Sequence, residues 1–165
     1  MKKLLAIFIL SSALTACQHI PTAQEATGYN NKLVIIQGKL IEKQTALNLT
    51  FGSADVEAAD KETMEKALKD FMKEVKTGSE EINKVGAFFD DKAYMESTLA
   101  YFTAFKDLAE NDYSQLVKYY TQEADWTEED KVNKDKIFES ISSKIDRCTL
   151  IYTAGYSAYC KKYGI

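Results

Sequence analysis

The chain has 165 residues, 45% hydrophobic and 12% aromatic, which supports one packed core and excludes a disordered chain. One Pro and seven Gly disfavour an all-β protein built on tight turns, and 25 Asp+Glu against 21 Lys+Arg leave no basic footprint for nucleic acid. Its single histidine, His19, nearly removes imidazole catalysis and histidine metal sites.

Lys2 and Lys3 open the chain and precede an unbroken apolar run from Leu4 to Leu10. That run is shorter than the roughly 20 residues of a membrane-spanning helix and has the shape of a secretory signal. The segment closes on Leu14-Thr15-Ala16-Cys17. This tetrad resembles the lipobox of bacterial lipoproteins: a branched apolar residue, two small residues, then Cys. Small residues let the site enter the signal peptidase, and the thiol is the nucleophile that takes a diacylglyceryl group. The resemblance implies a signal peptide over 1–16, a Cys17 carrying acyl chains such as palmitate, and a bilayer as the first partner. Gln18 lacks the acidic inner-membrane retention signal of Gram-negative lipoproteins. By analogy, the expected location is the bacterial outer membrane, on its periplasmic or surface face. Residues 17–27 hold the only Pro and no apolar period. They read as the lipidated Cys and a flexible tether, with the helical domain over 28–165.

Within that domain the apolar period is helical throughout. Tyr29, Leu33, Ile36, Leu40, Gln44, Leu47 and Phe51 follow 3–4 spacing, Val34, Ile35 and Ile41 widen the apolar stripe, and Gly52-Ser53 stops the run. Gly38 interrupts this helix, and close approach of a neighbour would explain it. Met64, Leu68, Phe71, Val75, Gly78, Ile82, Val85 and Phe89 form a second seam, with Asp60 as N-cap and Glu62 in the first turn. A third helix opens at Asp90 or Asp91 and carries Met95, Leu99, Phe102, Lys106, Ala109, Tyr113, Leu116 and Tyr120, with Tyr101, Phe105 and Leu108 as a second apolar row. Thr127 with Glu128, Glu129 and Asp130 marks the start of a fourth, which carries Val132, Ile137, Ile141, Ile145, Cys148 and Tyr152. It ends at Gly155 or runs on to Gly164. These elements predict an all-α, up-down-up-down four-helix bundle. The alternative is a three-helix bundle with one broken helix.

Few residues offer chemistry. A Cys148–Cys160 disulfide needs the chain to turn back near Gly155, because on one unbroken helix the two would lie about 18 Å apart. The acids Glu123, Asp125, Glu128, Glu129 and Asp130 lack the ligand spacing of a calcium loop. Tyr152, Tyr156, Tyr159 and Tyr163 share one face of a continuing helix. They fit either a partner-docking strip or core packing, and core packing is the preferred reading. Trp126 offers the same pair of roles, as a partner anchor or a hydrophobic staple. No nucleophile motif, metal site or cofactor is expected.

The run YNNKLVIIQGKLIEK and the stretch DKAYMESTLAYFTAFKDLAENDYSQLVKYY resemble a family of small, functionally uncharacterised all-helical bacterial lipoproteins labelled surface proteins. The shared features are the lipobox, Tyr29-Asn30 opening the first helix, Gln37 within it, and a helical pair before an acidic turn. The likeness covers most of residues 28–145. It implies a membrane-anchored helical domain and brings no activity or functional residue with it. The expected function is non-enzymatic: an envelope lipoprotein that binds an envelope or surface protein or serves a structural role. The alternative is a carrier whose core holds a small apolar ligand among Phe102, Phe105 and Tyr152.

Overall fold

The computed structural model describes residues 19–52, 57–121 and 126–165. The leader, the lipobox and Cys17 lie outside them, as do Glu123 and Asp125. The described chain is a four-helix bundle whose helices are α1 (Ala23–Thr50), α2 (Lys61–Val85), a third rod made of α3 (Ala93–Asp107), a π-helical turn (Leu108–Tyr113) and α4 (Ser114–Thr121), and finally α5 (Glu128–Tyr163). None of the described helices is long and apolar enough to cross a membrane.

The first helix starts inside the segment expected to be a tether. Thr22-Ala23-Gln24-Glu25 is a capping box: the Thr22 hydroxyl accepts from the Glu25 amide at 3.2 Å, and the Glu25 carboxylate accepts from the Thr22 amide at 2.8 Å. These bonds, the backbone one first, and contact with His19 hold the Glu25 carboxyl down at about 2. Ala26 is buried one turn later, so residues 23–27 belong to the domain. The seven positions expected to face the core of α1, from Tyr29 to Phe51, are all buried.

The hydrogen bonds at one end establish the antiparallel order. Tyr29 donates to the Gly86 carbonyl at 2.8 Å, Tyr94 to Asn30 Oδ1 at 2.9 Å, and Tyr159 to the Ala26 carbonyl at 3.0 Å. That end therefore gathers the start of α1, the end of α2, the start of α3 and the end of α5. At the other end Phe51 meets Tyr120 at 5.3 Å and Phe138 at 6.0 Å between ring centroids. The backbones of α1 and α2 run close together, as do those of α3 and α5. Aromatic side chains, rather than close backbones, span the seam between α1 and α5.

Two glycines permit the close approaches. A Cβ at position 78 would lie 2.9 Å from Phe102 Cζ, and one at 155 would lie 2.5 Å from Ser97 Cβ. Gly38, expected to answer a neighbouring helix, has no such neighbour within 4 Å. The seams are also corrected at their edges. Helix α2 stops at Gly86, whose φ is 71°, so Phe89 leaves the seam and Phe88 is buried instead. Val132 lies on the exposed side of α5, and Lys106 is exposed while its neighbour Phe105 is fully buried.

The inward stripe of the third rod runs through Tyr101, Phe105 and Leu108 and continues through the π turn to Asp112 and Tyr113. Asp112 is thereby carried into a nearly closed site. It accepts from Lys144 Nζ at 2.6 Å and from Ser140 Oγ at 2.9 Å. The bond to Asp112 leads in raising the Lys144 ammonium pKa.

Candidate functional site

The tyrosines of α5 are divided between core and surface. Tyr152 and Tyr159 are buried, Tyr163 is half-buried, and Tyr156 is the one exposed member, at 37%. A continuous docking strip is therefore not present. Instead these rings form one aromatic cluster with Tyr29, Phe88 and Tyr94. Tyr159 lies 4.9 Å from Tyr94 and 5.7 Å from Tyr29, and Tyr163 lies 5.0 Å from Phe88.

The hydroxyls of this cluster are placed as well as its rings. Tyr94 and Tyr152 are hydrogen-bonded oxygen to oxygen at 3.1 Å, and because the Tyr94 proton goes to Asn30, Tyr152 donates. Further along, Tyr113 accepts from Gln44 Nε2 at 3.2 Å and donates to Asn48 Oδ1 at 2.8 Å. Amides of α1 (Asn30, Gln44, Asn48) thus meet phenols of the third rod across the bundle. Sequence inspection missed this ladder, although Asn30, Gln37 and Gln44 recur every seven residues along the edge of the α1 apolar stripe. Burial pushes Tyr101 up to about 12 against the pull of Gln37 and Thr149, and also raises Tyr94 and Tyr159. All three stay neutral at physiological pH, and Tyr94 and Tyr159 donate to α1, which suits orientation of the core rather than proton transfer.

The cysteines are corrected by the continuity of α5. The helix runs unbroken to Tyr163, with Gly164 at φ 69° as its left-handed stop, so Gly155 does not turn the chain back. Cys148 and Cys160 are both free. Cys148 is buried against its own helix, and burial pushes its thiol up to about 11.

Trp126 is half-buried before the N-cap of α5. Its indole N–H donates to the Tyr119 carbonyl at 3.1 Å, its ring meets Tyr120 at 5.1 Å, and Lys134 sits 5.1 Å above it. It fastens α4 to α5, the stapling role, with one face left partly open.

Phe102 and Phe105 are fully buried. Phe102 fills the notch at Gly78, and Phe105 meets Tyr101 at 4.6 Å. A groove of about 700 Å³ lies elsewhere, between α2 and the third rod beside the π turn, with Met72 and Ala109 on its walls and Lys76 and Lys106 at its edges. Among the described residues no three His, Cys, Asp or Glu side chains converge as metal ligands would.

The fold and these sites define a four-helix bundle with an aromatic, hydrogen-bonded core. Comparison with protein-family models, curated proteins and solved structures finds no match to this chain.

Proposed function

We propose that this chain is a lipid-anchored envelope lipoprotein whose bundle binds an envelope or surface partner or serves a structural role, without catalysis. The observation that carries the reading is Leu14-Thr15-Ala16-Cys17, set behind a basic and apolar leader and followed at Thr22 by a capped helix. Acyl chains on Cys17 supply the attachment. The short spacing to Thr22 holds the domain close to the bilayer. Gln18 favours the outer membrane. The buried phenols are spent on one another and on amides, which suits a rigid scaffold. The exposed Tyr156 and the open face of Trp126 are the aromatic contacts left for a partner.

The test is intact mass and membrane fractionation of the chain expressed in a bacterial host. The expected mature product begins at Cys17, carries acyl mass and sediments with membranes, and Cys17→Ser abolishes both. A mature product without acyl mass overturns the reading.

A further inference from the structure

We infer that the end of the bundle holding the start of α1, the α2–α3 turn and the end of α5 rests on the bilayer surface, with Phe89 as the aromatic that enters it. The inference rests on the anchored reading and deepens it, by assigning a face of the protein to the membrane.

The α2–α3 turn is tightly closed. The Phe88 amide donates to the Asp91 carbonyl at 3.1 Å, and the Asp91 amide returns a bond to Phe88 at 2.9 Å. Phe89 stands at the apex with φ 52°, in the left-handed region that favours glycine. A bulky aromatic held there against backbone preference points to a use outside the core. Phe88 is buried, whereas Phe89 is 47% exposed and touches the Phe88 ring and the ring of His19, 5.3 Å away. Around it Ile20 is 83% exposed and Ile165 is 38% exposed. Apolar tips beside exposed Lys84, Lys92, Lys161 and Lys162 match the mixture found at membrane interfaces.

Two further observations name the bilayer as the occupant. His19 is two residues from Cys17, and the chain spans at most about 3.6 Å per residue, so their Cα atoms lie within about 7 Å. Acyl chains on Cys17 therefore enter the membrane beside Phe89. Charge separates the two ends in the same sense. At the near end Asp91 is bound to Lys162 and Glu25 to His19, and Lys84, Lys92 and Lys161 face solvent with Asp90. The far end carries Asp60, Glu62, Glu129 and Asp130 beside Lys61, with Glu128 bound to Lys131, an acidic excess that an anionic surface repels.

The test uses the mature lipidated chain on vesicles of phosphatidylcholine and phosphatidylglycerol, with and without brominated acyl chains. Trp126 is the only tryptophan and lies at the far end, roughly 50 Å along α5. Its emission should be unaffected by bromine. In Phe89→Trp with Trp126→Phe, emission should shift to the blue and fall at least about two-fold with brominated lipid. If that emission is as insensitive to bromine as Trp126 while the chain still floats with vesicles, the proposal fails and the anchor stands. Failure to float overturns the anchored reading, and this one with it. A second readout does not depend on tolerance of tryptophan. Anchoring the native chain should slow amide exchange over residues 87–90 several-fold, and Phe89→Gly, which fits the turn, should abolish the slowing. Equal exchange in the two chains overturns the proposal.

Discussion

Replacing Gly78 by Ala should destabilise the bundle even though Ala is the better helix former. The added Cβ would lie 2.9 Å from Phe102 Cζ, and Cε1 of that ring is closer still. Phe102 is fully buried and has no free space to swing into. Overpacking of this kind costs about 1–3 kcal/mol. The helix-propensity gain of Ala over Gly offsets about 1 kcal/mol of it. The net expectation is a loss of about 0–2 kcal/mol. Gly38 supplies the control, because no atom outside its own helix approaches it within 4 Å. Gly38→Ala should gain up to about 1 kcal/mol from propensity alone. The difference between the two variants cancels the propensity and isolates the contact with Phe102, at about 1–3 kcal/mol. Urea unfolding followed by circular dichroism measures both, and each kcal/mol corresponds to about 2–4 °C in Tm for a chain of this size. Adding Phe102→Leu to Gly78→Ala should recover part of the loss, because the two sites are in contact. Equal gains in the two alanine variants would refute the argument that Gly78 is retained for close packing.

Two other measurements test the polar core and the thiols. Tyr94→Phe removes the hydroxyl that donates to Asn30 and pairs with Tyr152, and should cost about 1–3 kcal/mol in urea unfolding; an unchanged midpoint would show that the ladder contributes nothing. Cys148 should react with a thiol reagent at about pH 8 far more slowly than the half-exposed Cys160, and non-reducing mass should show both thiols free. Because the folded Cys148 holds its proton up to about 11, the unfolded chain releases it first, and the contribution of this thiol to stability should fall as pH rises from about 9 to 11. Equal reactivity of the two thiols, or the mass of a disulfide, would contradict the structure.

The legibility of the fold followed the strength of its apolar period. In α1 the 3–4 positions from Tyr29 to Phe51 are all buried, because a narrow stripe on a capped helix leaves little choice of face, whereas Val34, Ile35 and Ile41, expected to widen it, are exposed. The start of that helix is written in the Thr22-to-Glu25 box, but Pro21 and the lack of an apolar period there mask it. The α2 seam was extended one turn too far. Phe89 continues the heptad in sequence, yet Gly86 takes a left-handed conformation and ends the helix before it. In the third rod a strict repeat places Lys106 inward, yet Lys106 is exposed, and the second apolar row of Tyr101, Phe105 and Leu108 is buried and continues to Asp112.

The same division holds for the candidate sites. The order of the helices, the caps at Asp60 and Thr127 and the lipobox-like tetrad can be written down from the chain, because they depend on residues within a few positions of one another, whereas the continuation of α5 past Gly155 is settled by its packing. Distant partners cannot be read in that way. The pairing of Asn30 with Tyr94 and of Asn48 with Tyr113, and the burial of Tyr152 and Tyr159 beside an exposed Tyr156, arise from how whole helices rotate and slide against one another. Local spacing determines which face of a helix is apolar. The rotation that lets Phe102 lie against Gly78, and Ser97 against Gly155, belongs to the packed bundle, because it minimises the space left between rods rather than the energy of any one of them.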